Sequence, residues 1–409
     1  TINPMKILII DDDLLMVEAQ TALLTQAGHE VLSSTHSGKA IELIRAHIPD
    51  CVITDIIMPE VDGIQILKQI SDNKQLTGIK VIIVSAKPFK FDHRQAMKMG
   101  AAGFITKPID PATYCAQIQC AITEKIKLTF WGVRGTLPVP GKRAFKYGGN
   151  TSCVTLELPK GEFFIFDAGS GIKELSNHIM ATRDGKLNAK IFISHPHWDH
   201  INALPFFSPL YIPGNEFEIL GTSHAGISME SLITAQMDDV YFPITMHQLE
   251  SSVYFRDLTQ GEYDVDEINV KTFLLNHPGN SLGYRINYNG RSICYITDNE
   301  FFLPDSPNYD LDYINRLSEF IEDTDALITD CTYLDNEYPS KVGWGHSCVS
   351  QVAAVAHQAN VKNLYLFHHD PDQDDAKIDL KLADAKMALE KLGSKTVVSA
   401  PTETQSFLI

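Results

Sequence analysis

Ile191-Phe192-Ile193-Ser194-His195-Pro196-His197-Trp198-Asp199-His200 is the stretch that decides how the rest of the chain is read. An apolar run of strand character ends at Ser194, and the next six residues present three imidazoles and a carboxylate. In an extended segment His195 and His197, two residues apart, point the same way. Asp199 and His200 follow one register later and can address a neighbouring point, so the spacing predicts two metal ions rather than one. The alternative is a chance cluster of surface histidines. With 15 His in 409 residues, such spacing arises by accident on the order of once per thousand chains.

The length provides for two or three domains, and 44% hydrophobic residues suffice for packed cores. No apolar run reaches the ~18 residues of a membrane span, and no secretory leader is legible. Seven scattered cysteines without a C-x-x-C pair read as buried thiols of a reducing compartment, so a cytoplasmic protein is expected. A formal charge of −17 argues against nonspecific nucleic-acid binding, which needs clustered Lys and Arg. It leaves room for a small phosphate ester held by cations.

Upstream, Lys6-Ile7-Leu8-Ile9-Ile10 runs directly into Asp11, Asp12 and Asp13, and a helical pattern then stops at Gly28. The theme recurs four times, through strand-like runs at 31–33, 51–54 (into Asp55), 81–84 (into Ser85) and 103–106 (into Lys107). Helical patterns follow at 39–47, 64–70, 94–99 and 111–124. Five such alternations predict a doubly wound parallel sheet with its site at the C-terminal strand ends. Gathered there, Asp11, Asp12 and Asp55 repel one another unless a cation intervenes. Mg²⁺ suits an all-oxygen site, and Lys107 completes the charge balance.

Residues 1–125 thereby resemble the receiver domain of two-component response regulators. The resemblance implies Asp55, within Asp55-Ile56-Ile57-Met58-Pro59, as phosphoacceptor and a sensor histidine kinase as partner. It implies Asp12 and Asp55 as Mg²⁺ ligands with Asp11 nearby, and Ser85 and Lys107 as phosphate contacts. Phe104 matches the aromatic that changes rotamer on activation. The chain passes into Leu128-Thr129-Phe130-Trp131 without a Gly/Ser or Pro linker, which predicts domains in fixed contact.

From 128 onward, strands followed by helices deliver chemistry at strand ends: Asp167, the histidine cluster, His277, Asp298, and the pair His368-His369. A single strand-end His is ordinarily structural. Two metals, however, want about four ligands apiece, and the ensemble supplies nitrogen and oxygen donors suited to Zn²⁺, with Mn²⁺ or Fe open. Two mixed sheets covered by helices are expected.

Residues 128–409 resemble the metallo-β-lactamase superfamily, an αββα sandwich, through His195-x-His197-x-Asp199-His200. The resemblance implies His195, His197 and His277 on one metal, Asp199, His200 and His368 on the other, and Asp298 bridging. His369 is the alternative ligand to His368, and where His368 is the ligand it would instead touch substrate. Asp167 is implied as a residue that orients ligands. True β-lactamases place cysteine where Asp298 stands, and flavodiiron proteins replace the second histidine by an acid. Ile328-Thr329-Asp330-Cys331-Thr332 and Gly345-His346-Ser347 are similar to the ribonuclease Z-like branch, with Asp330 where ribonuclease Z has Glu. Gly132-Val133-Arg134-Gly135 with Tyr147-Gly148-Gly149-Asn150-Thr151 looks like members associated with cyclic-nucleotide phosphodiesterase activity. Arg134 or Lys146 would meet phosphate or base, or else be surface charges.

The expected chemistry is hydrolysis of a small phosphodiester, a cyclic nucleotide among the candidates. Two cations about 3.5–4 Å apart clamp an in-line displacement and lower the pKa of a shared water toward ~7. His346 protonates the leaving group and Asp330 orients it. The alternatives are a ribonuclease Z-like nuclease, a thioesterase or lactonase, and a non-catalytic signalling adaptor. No membrane partner is expected, and a homo-oligomer is left open.

Overall fold

The N-terminal sheet holds five parallel strands, Lys6–Ile10, Glu30–Ser34, Cys51–Thr54, Lys80–Ser85 and Gly103–Thr106, in the order second, first, third, fourth, fifth. The structure is a computed structural model and describes residues 4–409 except 74, 77, 87–95, 98, 112, 124 and 184. Ile7 and Ile9 pack with Val17, Leu24 and Ile118 on one face, while Leu8 and Ile10 pack with Ile44, Ile66 and Ile70 on the other. A strand covered by helices on both faces has no polar side, hence the unbroken apolar run. The helix expected around Arg94–Met99 lies largely outside the described residues.

Helix Tyr114–Thr123 is followed within a few residues by strand Lys127–Gly132. Ile126, between them, exchanges two backbone hydrogen bonds with Ile409. A cleft of about 900 Å³ is lined on one side by Phe104, Thr106 and Gln117 and on the other by Glu157, Lys160 and Arg183.

The remaining strands build two seven-stranded sheets. In the first, Ser252–Leu258, Glu216–Thr222, Asn188–Ile193 and Phe163–Phe166 run parallel, and Cys153–Glu157, Lys127–Gly132 and Ser406–Leu408 complete it antiparallel. In the second, Gly261–Val265, Ile268–Leu274, Leu282–Tyr288 and Arg291–Ile296 form a meander, continued in parallel by Ala326–Asp330, Asn363–Phe367 and Val397–Ser399.

Phe130, Phe164, Phe166 and Phe192 meet Tyr284, Tyr295, Ile328 and Phe367 between the sheets. Helix Gly171–Thr182 covers the first sheet, and helices Leu311–Phe320, Val349–Gln358 and Asp375–Lys391 cover the second. The result is the expected αββα layering. Along Asn188–Ile193, Phe192 faces the central layer while Ile191 and Ile193 face the helices. Among the described residues no helix is long and apolar enough to cross a membrane.

Candidate metal centre

His195, His277, Asp298 and His368 each stand shortly past a strand, Asp199 and His200 lie on the short helix Trp198–Ile201, and the sandwich brings these ends together. Tyr284 Oη donates to the Ile193 carbonyl at 2.7 Å, Tyr295 Oη to Asp167 Oδ2 at 2.7 Å, and Leu282 N to the Ser194 carbonyl at 2.9 Å. These bonds lock the end of the first sheet to the second directly under the histidine cluster. Asp167, Asp298 and His368 all hold left-handed backbones, with φ of 59°, 48° and 58°. Such conformations in residues other than glycine store strain at functional sites.

Two donor sets result. One donor atom from each of His195, His197, His277 and Asp298 falls within a single 4.8 Å cluster, and the same holds for Asp199, His200 and His368. Asp298 serves both. Its Oδ2 lies 3.6 Å from His195 Nε2 and 3.6 Å from His277 Nε2, and its Oδ1 lies 3.2 Å from His200 Nε2 and from His368 Nε2. Asp199 Oδ2 closes the second set at 3.2 Å from His200 Nε2 and 3.1 Å from His368 Nε2.

Surrounding groups fix the ring tautomers so that lone pairs face inward. His200 Nδ1 donates to Asp167 Oδ2 at 2.7 Å, and His277 Nδ1 to the Gly345 carbonyl at 2.9 Å. His368 Nδ1 meets the Thr332 hydroxyl at 3.1 Å. With the proton on Nδ1, each Nε2 is left as a ligand. His369 turns the other way: its Nδ1 lies 3.2 Å from Lys381 Nζ, away from both sets.

Cations fit this arrangement. Among the described residues, His195 Nε2 and His200 Nε2 are buried without a well-aligned hydrogen bond, His200 Nε2 meeting only the nearby carboxylates of Asp199 and Asp298, which is costly unless something replaces water. Burial, then the neighbouring His200, pushes His195 well below the usual imidazole range. Burial works against the charge on Asp298, yet His368, His200 and His195 hold its carboxyl well below the ordinary value. Burial also opposes charge on His200, but Asp199, Asp298 and Asp167 outweigh it and raise its pKa well above normal. Carboxylates that must draw protons onto buried rings are groups a divalent cation would satisfy instead.

Asp330 and His346 sit beside the centre, and one donor atom from each also clusters within 4.8 Å with Asp298 and His368. Asp330 Oδ2 accepts from His346 Nδ1 at 2.6 Å, and Oδ1 accepts from Thr332 N at 2.9 Å and from the Thr332 hydroxyl at 2.8 Å. Both oxygens are thus engaged. Burial lowers the His346 pKa, but Asp330 dominates and pushes it up to about 9. The His346 ring stacks on His368 at 4.9 Å between centroids.

The N-terminal site is equally localised. Lys107 Nζ lies 2.7 Å from Asp11 Oδ2 and 2.5 Å from Asp55 Oδ2, and Asp11, Asp12 and Asp55 form one candidate cation cluster. Ser85 is buried at the end of its strand and Phe104 is half-buried. Asp13 is a helix cap, accepting from Leu15 N at 2.9 Å.

Several residues of the centre escaped the sequence reading. Glu300 is buried and accepts from Gly345 N at 2.7 Å, holding the turn whose carbonyl fixes His277. His224 Nδ1 donates to the Gly279 carbonyl at 2.9 Å, next to His197. Arg134 is neither a surface charge nor exposed to substrate: it is fully buried, with Nε donating to the Gly148 carbonyl at 3.0 Å and Nη1 to the Gln373 carbonyl. Lys146 is exposed and paired with Asp379.

Two family models match the chain, the response regulator receiver domain over residues 7–119 and the β-lactamase superfamily domain over residues 164–369. The N-terminal region is similar to Protein PilH of Pseudomonas aeruginosa, 34% identical over 117 residues, which cover 29% of this chain and 97% of PilH. Among solved structures, the metallo-β-lactamase fold protein YhfI from Bacillus subtilis is 16% identical, with a TM-score of 0.49. It covers 70% of this chain and 100% of that one. The short form of human tRNase Z is 21% identical, with a TM-score of 0.47, covering 69% of this chain and 98% of that one.

Proposed function

The chain belongs to the β-lactamase superfamily and carries a response regulator receiver domain at its N-terminus, and from that premise we propose that it is a dinuclear metal-dependent phosphodiesterase controlled by phosphorylation of Asp55. The single observation that carries the hydrolase half is the division of Asp298, one oxygen facing each histidine set. Two divalent cations, zinc by donor chemistry with manganese or iron as alternatives, would supply Lewis acidity and an activated water. His195, His197 and His277 would hold one, Asp199, His200 and His368 would hold the other, and Asp298 would be shared.

The chain's own groups do the rest. His346 carries a proton on Nδ1 that Asp330 fixes, leaving Nε2 to meet the leaving group. An imidazole held in its protonated form by a buried carboxylate can donate to a departing alkoxide, a contribution of about 10²–10⁴-fold. Mg²⁺ on Asp11, Asp12 and Asp55 would prepare Asp55 for phosphoryl transfer from a histidine kinase, with Ser85 and Lys107 receiving the phosphate. The strongly acidic chain favours a small phosphodiester over a large RNA, with cyclic nucleotides the first class to try. Seven free cysteines suit a cytoplasmic setting.

The test is a substrate panel on protein of measured metal content. Bis-p-nitrophenyl phosphate and cyclic nucleotides are expected to turn over, activity vanishing on chelation and returning with Zn²⁺ or Mn²⁺. Turnover of thioesters or pre-tRNA in their place moves the protein to those branches. Full metal occupancy with no ester hydrolysed identifies an adaptor.

A further inference from the structure

Lys381 lies on helix Asp375–Lys391 and is wholly buried. Among the described residues its ammonium has no carboxylate within ion-pair distance. Instead Nζ donates to the carbonyls of Cys331 at 2.7 Å and Thr332 at 2.8 Å, and meets Nδ1 of His369 at 3.2 Å. A buried charge among neutral acceptors is costly where methionine would fill the same volume. What the lysine holds is therefore informative.

It grips two strand-end loops, and through them a third. The loop at 330–332 carries Asp330, and its Thr332 hydroxyl reaches the His368 carbonyl at 2.7 Å and His368 Nδ1 at 3.1 Å. The loop at 368–369 carries His368 itself. His369 exchanges backbone bonds with the 133–135 segment, N to the Val133 carbonyl and carbonyl from Gly135 N, each 3.0 Å. That segment continues into Thr136, whose N donates to Asp199 Oδ2 at 2.7 Å. All three loops end on Asp199 or His368. The first set is held by other means, His277 through Gly345 and Glu300.

We propose that Lys381 is a positioning residue for one half of the centre, tying together the three loops that orient Asp199 and His368. The proposal rests on the dinuclear reading above and goes beyond it by assigning an asymmetric dependence. Without the ammonium, the second donor set loosens while His195, His197 and His277 keep theirs.

The experiment is zinc stoichiometry of the full-length chain, by elemental analysis after dialysis against chelators of graded strength. Wild type is expected to retain two ions per chain. Lys381→Met is expected to retain one tightly and bind the other 10–100-fold more weakly, the range for outer-sphere partners. Equal weakening of both ions, or retention of both as in wild type, overturns the proposal. A wild type that binds no zinc refutes the dinuclear reading instead. Should Lys381→Met fail to give a native circular dichroism spectrum, Lys381→Gln, which keeps polar donors, is read by the same criterion.

Discussion

Gly135 lies so close to the imidazole of His368 that a β-carbon there would stand 2.1 Å from His368 Cε1 and 2.2 Å from Nδ1. The ring is buried, so it cannot swing into solvent. Gly135→Ala is expected to displace His368 and to lower zinc stoichiometry from two to one. Turnover should fall by at least about 10², while the thermal midpoint shifts by only a few degrees. Elemental analysis and calorimetry on the same preparation check both halves of that expectation.

His346→Ala separates proton donation from metal chemistry. An alkoxide leaving group needs a proton, whereas p-nitrophenolate leaves without one. Turnover of a substrate with an alkyl leaving group should fall about 10²–10⁴-fold, and that of bis-p-nitrophenyl phosphate by less than about tenfold. Equal losses on both would show that His346 acts by holding the stacked His368 in place.

Glu162 stands before strand Phe163–Phe166, and its buried Oε2 has no hydrogen-bond partner among the described residues. Burial pushes its carboxyl from 4.5 up to about 7. Because the folded state favours the protonated form, stability is full below about pH 4.5 and declines as pH rises through 7. Glu162→Gln should therefore stabilise the fold at pH 8 by roughly 1–2 kcal/mol after allowance for partial exposure, seen as a higher thermal midpoint. At pH 4.5 it should leave the midpoint unchanged. A gain independent of pH would point to a cause other than ionisation.

Phosphorylation should reach the hydrolase through the short passage at Ile126 and the shared cleft. Acetyl phosphate or beryllofluoride is expected to change the turnover of wild type, and Asp55→Ala to remove that response while leaving basal turnover intact. Identical rates under all conditions would assign the receiver another task, such as assembly.

The clustering of these donors was legible because the motif at 195–200 is local and because its neighbours end apolar runs at His277, Asp298 and His368. The five parallel strands were legible for the same reason, Asp11, Asp55, Ser85 and Lys107 each closing an apolar run, whereas their order in the sheet was not. What stayed hidden depends on folding at a distance. Lys381 reads as one more cation on a polar helix, and nothing in its neighbours betrays full burial. Glu300 acts through Gly345, 45 residues away, and Arg134 is sequestered by carbonyls at 148 and 373. That His369 faces Lys381 while His368 joins the donor cluster could not be read from two adjacent histidines.

Asp167, Asp298 and His368 pass through a backbone region that costs about 1–3 kcal/mol each for residues with side chains. Selection for catalysis and selection for endurance therefore pull against each other at the same three positions. A descendant of this chain released from its chemical duty could harden by accepting glycine or asparagine at Asp298 and His368, though not at Asp167, which receives Tyr295 and Ser194, so retired copies should melt later than working ones.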